Sequence, residues 1–591
     1  MRKQSLLKSF LVWRLKHISH KQFIYFLSII IGLTSGLIAV IIKNSVYFIK
    51  ESLTKDFVIS LSNYLYFLYP ILGISIIYIF LKYLFKKPGN KGFVSILYAI
   101  SKRNSIMRWH HMFSPIITSA ITVGFGGSVG LEAPAAVSGS AISSRLSKLL
   151  HFNYKNRTLL IGCAVAGTIS AIFKAPIAAI IFAIEVIMLD LTMASLIPLL
   201  LASVSAVITS RFFLGEDILF HVNIQDGFGW NDLGFYIILG LLAGATSVYF
   251  YKSYTSITGR FKKIKNRFWK IMLGGSTIGL LVFLFPPLFG EGYEFINNLI
   301  SGNSNHILDN SPFFNPENQV ATILLFLIGL LVFKVIATSI TVGVGGIGGI
   351  FAPVLFMGSA LGFVFSKSIN LSEISNVSES NFSLVGMAAL MAGVMHAPLT
   401  AIFLIAEISS GYQLFIPLMI SSSVAYITST YFVPHSVFTM QLAKRGDLLT
   451  HHKDKAILSR IKLEKIIEKN LSVVSPELTL GEFVKVIAKS KRNIFPVVDD
   501  KKKFLGIVAI DDIREIMFDQ SFYETETVET MMRSPLGILS SHNTMDEVTK
   551  IFDDTGAWNL PVLNKGKYVG YLSKSKLFSV YRRRLIEFSE D

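Results

Sequence analysis

Gly127-Ser128-Val129-Gly130-Leu131-Glu132-Ala133-Pro134 recurs 219 residues downstream as Gly346-Ile347-Gly348-Gly349-Ile350-Phe351-Ala352-Pro353. A second pair follows in the same order. Ala175-Pro176, with Glu185 nine residues beyond the proline, returns as Ala397-Pro398 with Glu407 at the same distance, offset by 222. Segments interrupted by Gly and Pro at corresponding positions of two halves mark a membrane transporter built from repeats, with its site where helices break near the bilayer midplane.

Composition supports the membrane setting. The chain is 52% hydrophobic with a mean hydropathy of +0.55, above the apolar share of an ordinary soluble domain. Stretches free of Asp, Glu, Lys and Arg cover 22–42, 57–81, 191–210, 233–251, 271–290, 335–366 and 408–443, each at or near the roughly 20 residues a spanning helix needs. The first run is too long for a signal peptide and no small-residue cleavage site follows it, so it reads as a retained helix in the lipid bilayer. Arg2, Lys3, Lys8, Arg14, Lys16 and Lys21 precede it without an acidic residue, which places the N-terminus in the cytosol. The single cysteine, Cys163, excludes an intrachain disulfide framework.

Of the net charge of +18, residues 451–591 carry 23 basic and 21 acidic side chains, or +2, which leaves +16 on residues 1–450. A nucleic-acid binder would show its basic patch on a soluble domain, so nucleic acid is not expected as a partner. The surplus is read as topogenic, with a secondary effect of concentrating anions at the cytosolic mouths.

Hydropathy falls after about residue 445. The expected organisation is a basic N-terminus (1–21), a membrane domain (22–445, halves about 22–215 and 230–445), a linker (446–465) and a regulatory domain (466–591). The tail has its own repeat: Phe495-Pro496-Val497-Val498 leads to Leu505-Gly506-Ile507-Val508, and Leu560-Pro561-Val562-Leu563 leads to Val569-Gly570-Tyr571-Leu572. Each copy reads as strand, turn, strand and helix. The predicted fold class is therefore an all-α multi-span membrane domain of two related halves joined to an α+β tail.

A small anion in a bilayer needs positive potential without a full charge that would trap it. Helix N-termini supply this through unpaired N–H groups and the helix dipole. Both glycine segments have the form required, feeding a helix that begins near the proline; close packing of small residues is the alternative. Glu132 falls at the first predicted helix start, where a carboxylate competes with an anion for the same donors. An ionisable group at that depth is read as functional, and helix capping is its alternative. Glu185 and Glu407 lie near helix ends, where an interfacial structural role is expected.

Gly130-Leu131-Glu132-Ala133-Pro134 and Gly349-Ile350-Phe351-Ala352-Pro353 resemble two signature segments of the CLC chloride channel and transporter family, a resemblance extending over roughly residues 20–445. The tail resembles the paired CBS domains that many CLC proteins carry. The resemblance implies two inverted repeats, chloride as the transported ion, and a homodimer with one pore per subunit. It makes Glu132 the external gating glutamate. The anion site is implied to draw on Gly130, Leu131, Ala133, Gly349, Ile350, Phe351 and Ala352, with Phe351 giving a backbone N–H to its centre.

Departures from the family pattern bear on mechanism. In Gly89-Asn90-Lys91-Gly92-Phe93, Asn90 takes the place of a family serine, and its amide can also donate. Phe438, in Ser436-Val437-Phe438, replaces a tyrosine whose hydroxyl serves the same site, offering only a positively polarised ring edge. Val186 stands where exchangers carry an internal proton glutamate, which favours channel-like conduction gated by Glu132 over chloride/proton antiport. Lys174 occupies a position commonly held by asparagine and is expected to snorkel toward an interface. In the tail, the CBS resemblance suggests an adenine nucleotide held by Ser/Thr-x-x-Asp segments. The first repeat has Asp512 but Ala509 in the hydroxyl position, and the second has Ser573 but Lys576 in the aspartate position.

Three other functions share part of this pattern. A fluoride exchanger fits the altered Asn90 and Phe438 positions. A CBS-regulated divalent-cation transporter would need several carboxylates at membrane depth, and only Glu132, Glu185, Asp190 and Glu407 are candidates. A membrane enzyme would need a motif such as His-Glu-x-x-His, which the chain lacks, or a Gly-x-Ser-x-Gly elbow, whose spacing is met only by Gly126-Gly127-Ser128-Val129-Gly130 within the repeated glycine segment; no metal and no required cofactor is expected, and His110-His111 reads as interfacial. Both termini are expected in the cytosol, and the protein in the cell's inner or plasma membrane.

Overall fold

A computed structural model describes residues 6–54, 62–85, 92–187, 193–215, 228–301, 320–409, 411–443, 461, 463–490 and 492–589. The chain divides into two compact units, Met1–Leu448 and Leu449–Asp591. Asn90, Asp190 and all but four residues of the expected linker lie outside the described residues.

The first unit is helical. Its first half comprises α1 (Leu6–His17), α2 (His20–Thr54), α3 (Ser62–Phe80), α4 (Phe93–Lys102), α5 (Ser114–Gly124), α6 (Glu132–Leu149), α7 (Tyr154–Phe173), α8 (Pro176–Ile187) and α9 (Met193–Leu214). The second comprises α10 (Leu233–Lys263), α11 (Arg267–Leu284), α12 (Tyr293–Ile300), α13 (Val320–Val344), α14 (Phe351–Leu371), α15 (Glu379–Met395), α16 (Pro398–Ile408), α17 (Phe415–Phe432) and the short α18 (Met440–Ala443). Among the described residues, eight helices are long and apolar enough to cross a membrane.

The uneven helix lengths follow from the glycine and proline breaks. The apolar run 335–366 is not one span: Gly345, at φ +119°, ends α13, and α14 restarts six residues later at Phe351. The same break separates α5 from α6, where Gly126 takes φ +86°. α6 buries mostly alanine, serine and glycine, and α7 meets it with Gly162, Ala164, Ala166, Gly167, Ser170 and Ala171 among its buried residues, so backbones approach closely where apolar attraction between helices in lipid is weak.

The second unit is α+β. β1 (Ile494–Val498) pairs antiparallel with β2 (Phe504–Ala509). β3 (Leu539–Ser540), β4 (Asn559–Asn564) and β5 (Lys567–Ser573) form a sheet in that order, with β4 and β5 antiparallel. Each strand pair is followed by a helix, Ile510–Ile513 in one copy and Lys574–Ser589 in the other. Lys503 bridges Lys567 across the repeats, and the Phe504 and Tyr568 rings stack at 6.1 Å.

Candidate functional site

Each half ends a helix with a threonine near its last turn, then a glycine loop, and the two halves tie these loops together crosswise. The Ile347 amide donates to Thr122 Oγ1 at 3.0 Å, and the Ser128 amide to Thr341 Oγ1 at 3.3 Å. Both hydroxyls also donate back into their own helices, Thr122 to the Thr118 carbonyl and Thr341 to that of Ala337. Between them the Gly130 amide donates to the Gly349 carbonyl at 2.9 Å and the Gly349 amide to the Gly130 carbonyl at 2.7 Å. The repeat visible at an offset of 219 is thus a two-fold contact in space, each half bracing the other.

This contact requires glycine at position 130. A Cβ there would sit 2.1 Å from Glu132 Oε2 and 3.1 Å from the Ala352 Cβ, whereas a Cβ at Gly349 meets Ala133 Cβ at 3.1 Å and Glu132 Oε2 only at 3.5 Å. The amides of Gly130 and Gly349 hold one another, so their part is to bring the two helix starts together. The first-turn amides of α6 and α14, Ala133 and Ala352 included, have no acceptor within their own helices and point the positive ends of two dipoles at the junction. Gly92, at φ +58°, starts a third helix here: a Cβ on it would lie 3.4 Å from Ala133.

Glu132 is the first residue of α6 and is 0% exposed. Its Oε1 accepts a hydrogen bond from the Tyr293 hydroxyl. Its Oε2 is buried with no hydrogen-bond partner, at the meeting point of Gly130 and Gly349. Leaving such an oxygen unsatisfied costs on the order of 1–3 kcal/mol, so the carboxylate is held at this junction by one of its two oxygens only.

Phe351 and Phe438 are brought into one aromatic series. Phe438 meets Phe93 edge-on at 5.3 Å, Phe93 meets Phe182 at 5.1 Å, and Phe182 meets Phe351 edge-on at 6.0 Å. Phe351 in turn packs on Phe173 at 5.0 Å, and Phe173 on Tyr293 at 6.4 Å. The series runs from the end of the membrane unit to the group that holds Glu132, and its edges are weakly positive.

Glu185 and Glu407 prove to be reciprocal helix caps. Glu407 accepts from the Ile177 and Ala178 amides at 3.1 and 2.8 Å. Glu185 accepts from the Leu399 and Thr400 amides at 3.3 and 2.9 Å, and from Thr400 Oγ1 at 2.6 Å. Pro176 and Pro398 have no N–H to satisfy, so each carboxylate takes the next two donors of the opposite helix. Val186 beside this contact is buried. Lys174 takes a left-handed conformation, φ 55°, and its Nζ donates to the Gly215 carbonyl at 2.8 Å; His396, 222 residues on, repeats that conformation at φ 56°.

Four residues absent from the sequence-based site converge here. Besides Tyr293, Glu291 Oε1 accepts from the Leu131 amide at 3.3 Å. Lys334 is 0% exposed, and its Nζ lies 3.3 Å from the Gly290 carbonyl and 3.4 Å from that of Glu291. Lys43 donates to the Ile172 carbonyl at 3.1 Å. A usable signal existed: Lys43 and Lys334 are solitary charges flanking apolar runs, and a charge at membrane depth invites a functional reading. Counting only charge-free windows places them at the edges, although Lys334 lies well inside the 25-residue α13.

In the second unit, Asp512 and Ser573 are both engaged. Asp512 Oδ2 accepts from Arg533 Nε at 2.7 Å and from the Ala509 amide at 3.1 Å. Ser573 Oγ donates to Glu468 Oε1 at 2.8 Å and accepts from the Lys576 amide at 3.1 Å.

Two broken helices, one from each repeat, meeting at a buried junction with one carboxylate in it, define a multi-pass membrane transport protein for small anions. The family model described as voltage gated chloride channel matches residues 73–430, and the CBS domain model matches residues 463–519 and 528–583. The chain therefore belongs to the voltage gated chloride channel (CLC) family and carries two CBS domains; members of that family are transporters rather than enzymes. It is 30% identical over 375 residues to a putative chloride channel protein ClcB-like of Ralstonia nicotianae, covering 62% of this chain and 83% of the relative. It is 27% identical over 419 residues to an H(+)/Cl(-) exchange transporter ClcA of Vibrio cholerae, covering 68% and 86%. The solved structure of a slow cyanobacterial Cl-/H+ antiporter shares the fold, with a TM-score of 0.61 at 22% identity, covering 71% of this chain and 97% of that one.

Proposed function

We propose that this protein moves chloride across its membrane by conduction gated by Glu132. The observation that carries this reading is the buried, unpartnered Oε2 of Glu132 lying where Gly130 and Gly349 hold two helix starts together. An ionised Glu132 occupies the seat an anion would take; once protonated it loses its claim on the surrounding dipoles and the anion replaces it. Passage therefore rises as pH falls. The anion is bound by first-turn amides of α6 and α14 around Phe351, by the ring edges of Phe351 and Phe438, and by Asn90.

A second reading is chloride/proton exchange. Glu132 is fully buried, so a proton must reach it each time the seat is exchanged. Val186 supplies no acid at the position where exchangers of the family carry one, which keeps conduction ahead. Fluoride is the anion to be tested against chloride, because Asn90 and Phe438 depart from the family pattern. Both termini are placed in the cytosol and the protein in the cell's inner or plasma membrane, as a homodimer with one pore in each subunit. An adenine nucleotide at the CBS pair would have to compete with Arg533 for Asp512 and with Glu468 for Ser573.

The deciding experiment is chloride efflux from liposomes with external pH recorded together. Chloride release without proton movement supports conduction. Proton uptake in fixed ratio to chloride establishes exchange instead, and no chloride release at any pH defeats both readings.

A further inference from the structure

Glu291 stands in the turn before α12, between Gly290 and Gly292, whose φ values are +67° and +87°. Its Oε1 takes the amide of Leu131, the residue immediately before Glu132. Two carboxylates, one from each half of the membrane unit, therefore arrive at consecutive residues of the same helix start. Their surroundings differ in degree: Glu132 is sealed, while Glu291, in its turn, is half-buried.

The turn is held from several sides. Lys334 on α13 approaches both the Gly290 and Glu291 carbonyls and lies 4.5 Å over the Phe356 ring of α14. Lys43 on α2, Lys334 and Glu132 all interact electrostatically with Glu291, and Lys174, at the turn between α7 and α8, interacts with Lys43. Tyr293 on α12 faces Glu132 with its hydroxyl. Glu294 points elsewhere, to Lys50 of α2 at 3.7 Å.

We infer that Glu291 is a second gating residue, which exchanges protons between the aqueous face and Glu132 and so sets the acidity at which the anion seat opens. The inference rests on the reading of Glu132 as the gate. A sealed carboxylate needs a neighbour that can meet water, and Glu291 is the adjoining acid with partial exposure. The step balances simply: a proton taken up by Glu291 passes to the Glu132 carboxylate, and Glu291 returns to its ionised form. Two carboxylates in one site avoid being ionised together and share a proton. Removing Glu291 thus leaves Glu132 to be protonated only in more acid solution.

The test is chloride efflux from liposomes carrying the full chain, recorded against external pH. Glu291→Gln keeps an oxygen for the Leu131 amide and should move the midpoint of acid activation by about one unit toward acid, equivalent to roughly 1.4 kcal/mol, with the plateau retained. Glu291→Asp, which retains the acid on a shorter stem, should give a smaller displacement in the same direction. A Gln variant with the parent's midpoint overturns the inference; should that variant not fold, the parent's midpoint in the Asp variant does so. Glu132→Gln separates the two readings. If it retains the parent's pH response, the gate assignment itself fails. If it becomes insensitive to pH while Glu291→Gln follows the parent, only the second gating role is lost.

Discussion

The two halves of the membrane unit use the same backbone for the same purpose and differ at one position that gives the site its direction. Position 132 and position 351, separated by the repeat offset of 219, are the first residues of α6 and α14. The first is a buried carboxylate and the second a buried phenyl ring. Everything symmetric about the junction, including the crossed threonines, the glycine bridge and the Glu185 and Glu407 caps, is made by backbone amides and their acceptors. What is asymmetric is a side chain. Duplication explains how two positive helix ends come to face one point; the Glu132/Phe351 difference explains why only one of them begins with a carboxylate.

The comparison breaks most visibly at Glu132. Glu132→Gln should make chloride efflux independent of pH and raise it at neutral pH by about tenfold or more, corresponding to at least ~1.4 kcal/mol in the balance between carboxylate and anion. Unaltered pH dependence in liposomes would contradict the gate.

The two glycines sharpen the asymmetry. Gly130→Ala puts a methyl group into the space of Glu132 Oε2, and should both expel the carboxylate and destabilise the fold by about 1–3 kcal/mol. Gly349→Ala meets that oxygen only at ordinary contact distance, and should retain the acid response. Equal pH profiles for the two variants would remove the distinction.

Among the caps, Glu185→Ala leaves two amides and the Thr400 hydroxyl without an acceptor, whereas Glu407→Ala leaves two amides. Both should lower the melting temperature in detergent, Glu185→Ala by the larger amount, the difference corresponding to about 1 kcal/mol for one more hydrogen bond. Equal melting temperatures would show that the Thr400 hydroxyl contributes nothing.

The smallest effect is expected for Tyr293→Phe, which preserves the ring packed on Phe173 and removes the donor to Glu132 Oε1. Weakening the carboxylate's hold by about 1 kcal/mol should raise chloride efflux at neutral pH by several-fold, leaving the plateau at low pH unchanged. An efflux curve superimposable on the parent's would mean that the hydroxyl does not restrain the gate.

Much of this is legible in the sequence. The paired glycine segments, the proline-plus-glutamate pairs and the strand-turn-strand repeats of the tail are local patterns, and local patterns survive in sequence. Glu132 was legible because a lone acid inside a glycine segment has few structural uses at membrane depth. Glu291, Tyr293, Lys43 and Lys334 were not, since no spacing connects residue 43 with 334 or 132 with 291. The run 335–366 concealed a break because hydropathy is indifferent to a glycine at positive φ.

The chain's order of residues by itself determined that two broken helices exist, that one begins with an acid and the other with a phenylalanine, and that lipid surrounds them. It could do so because glycine, proline and charge act on the backbone within a few residues. Only the tertiary structure decided that Gly130 and Gly349 bond to each other, that Glu185 and Glu407 cap opposite helices, and that a tyrosine from the far half donates to Glu132. Those are contacts between segments some 160 to 230 residues apart, and a side chain's partner at that distance is set by how helices pack, which no local rule encodes.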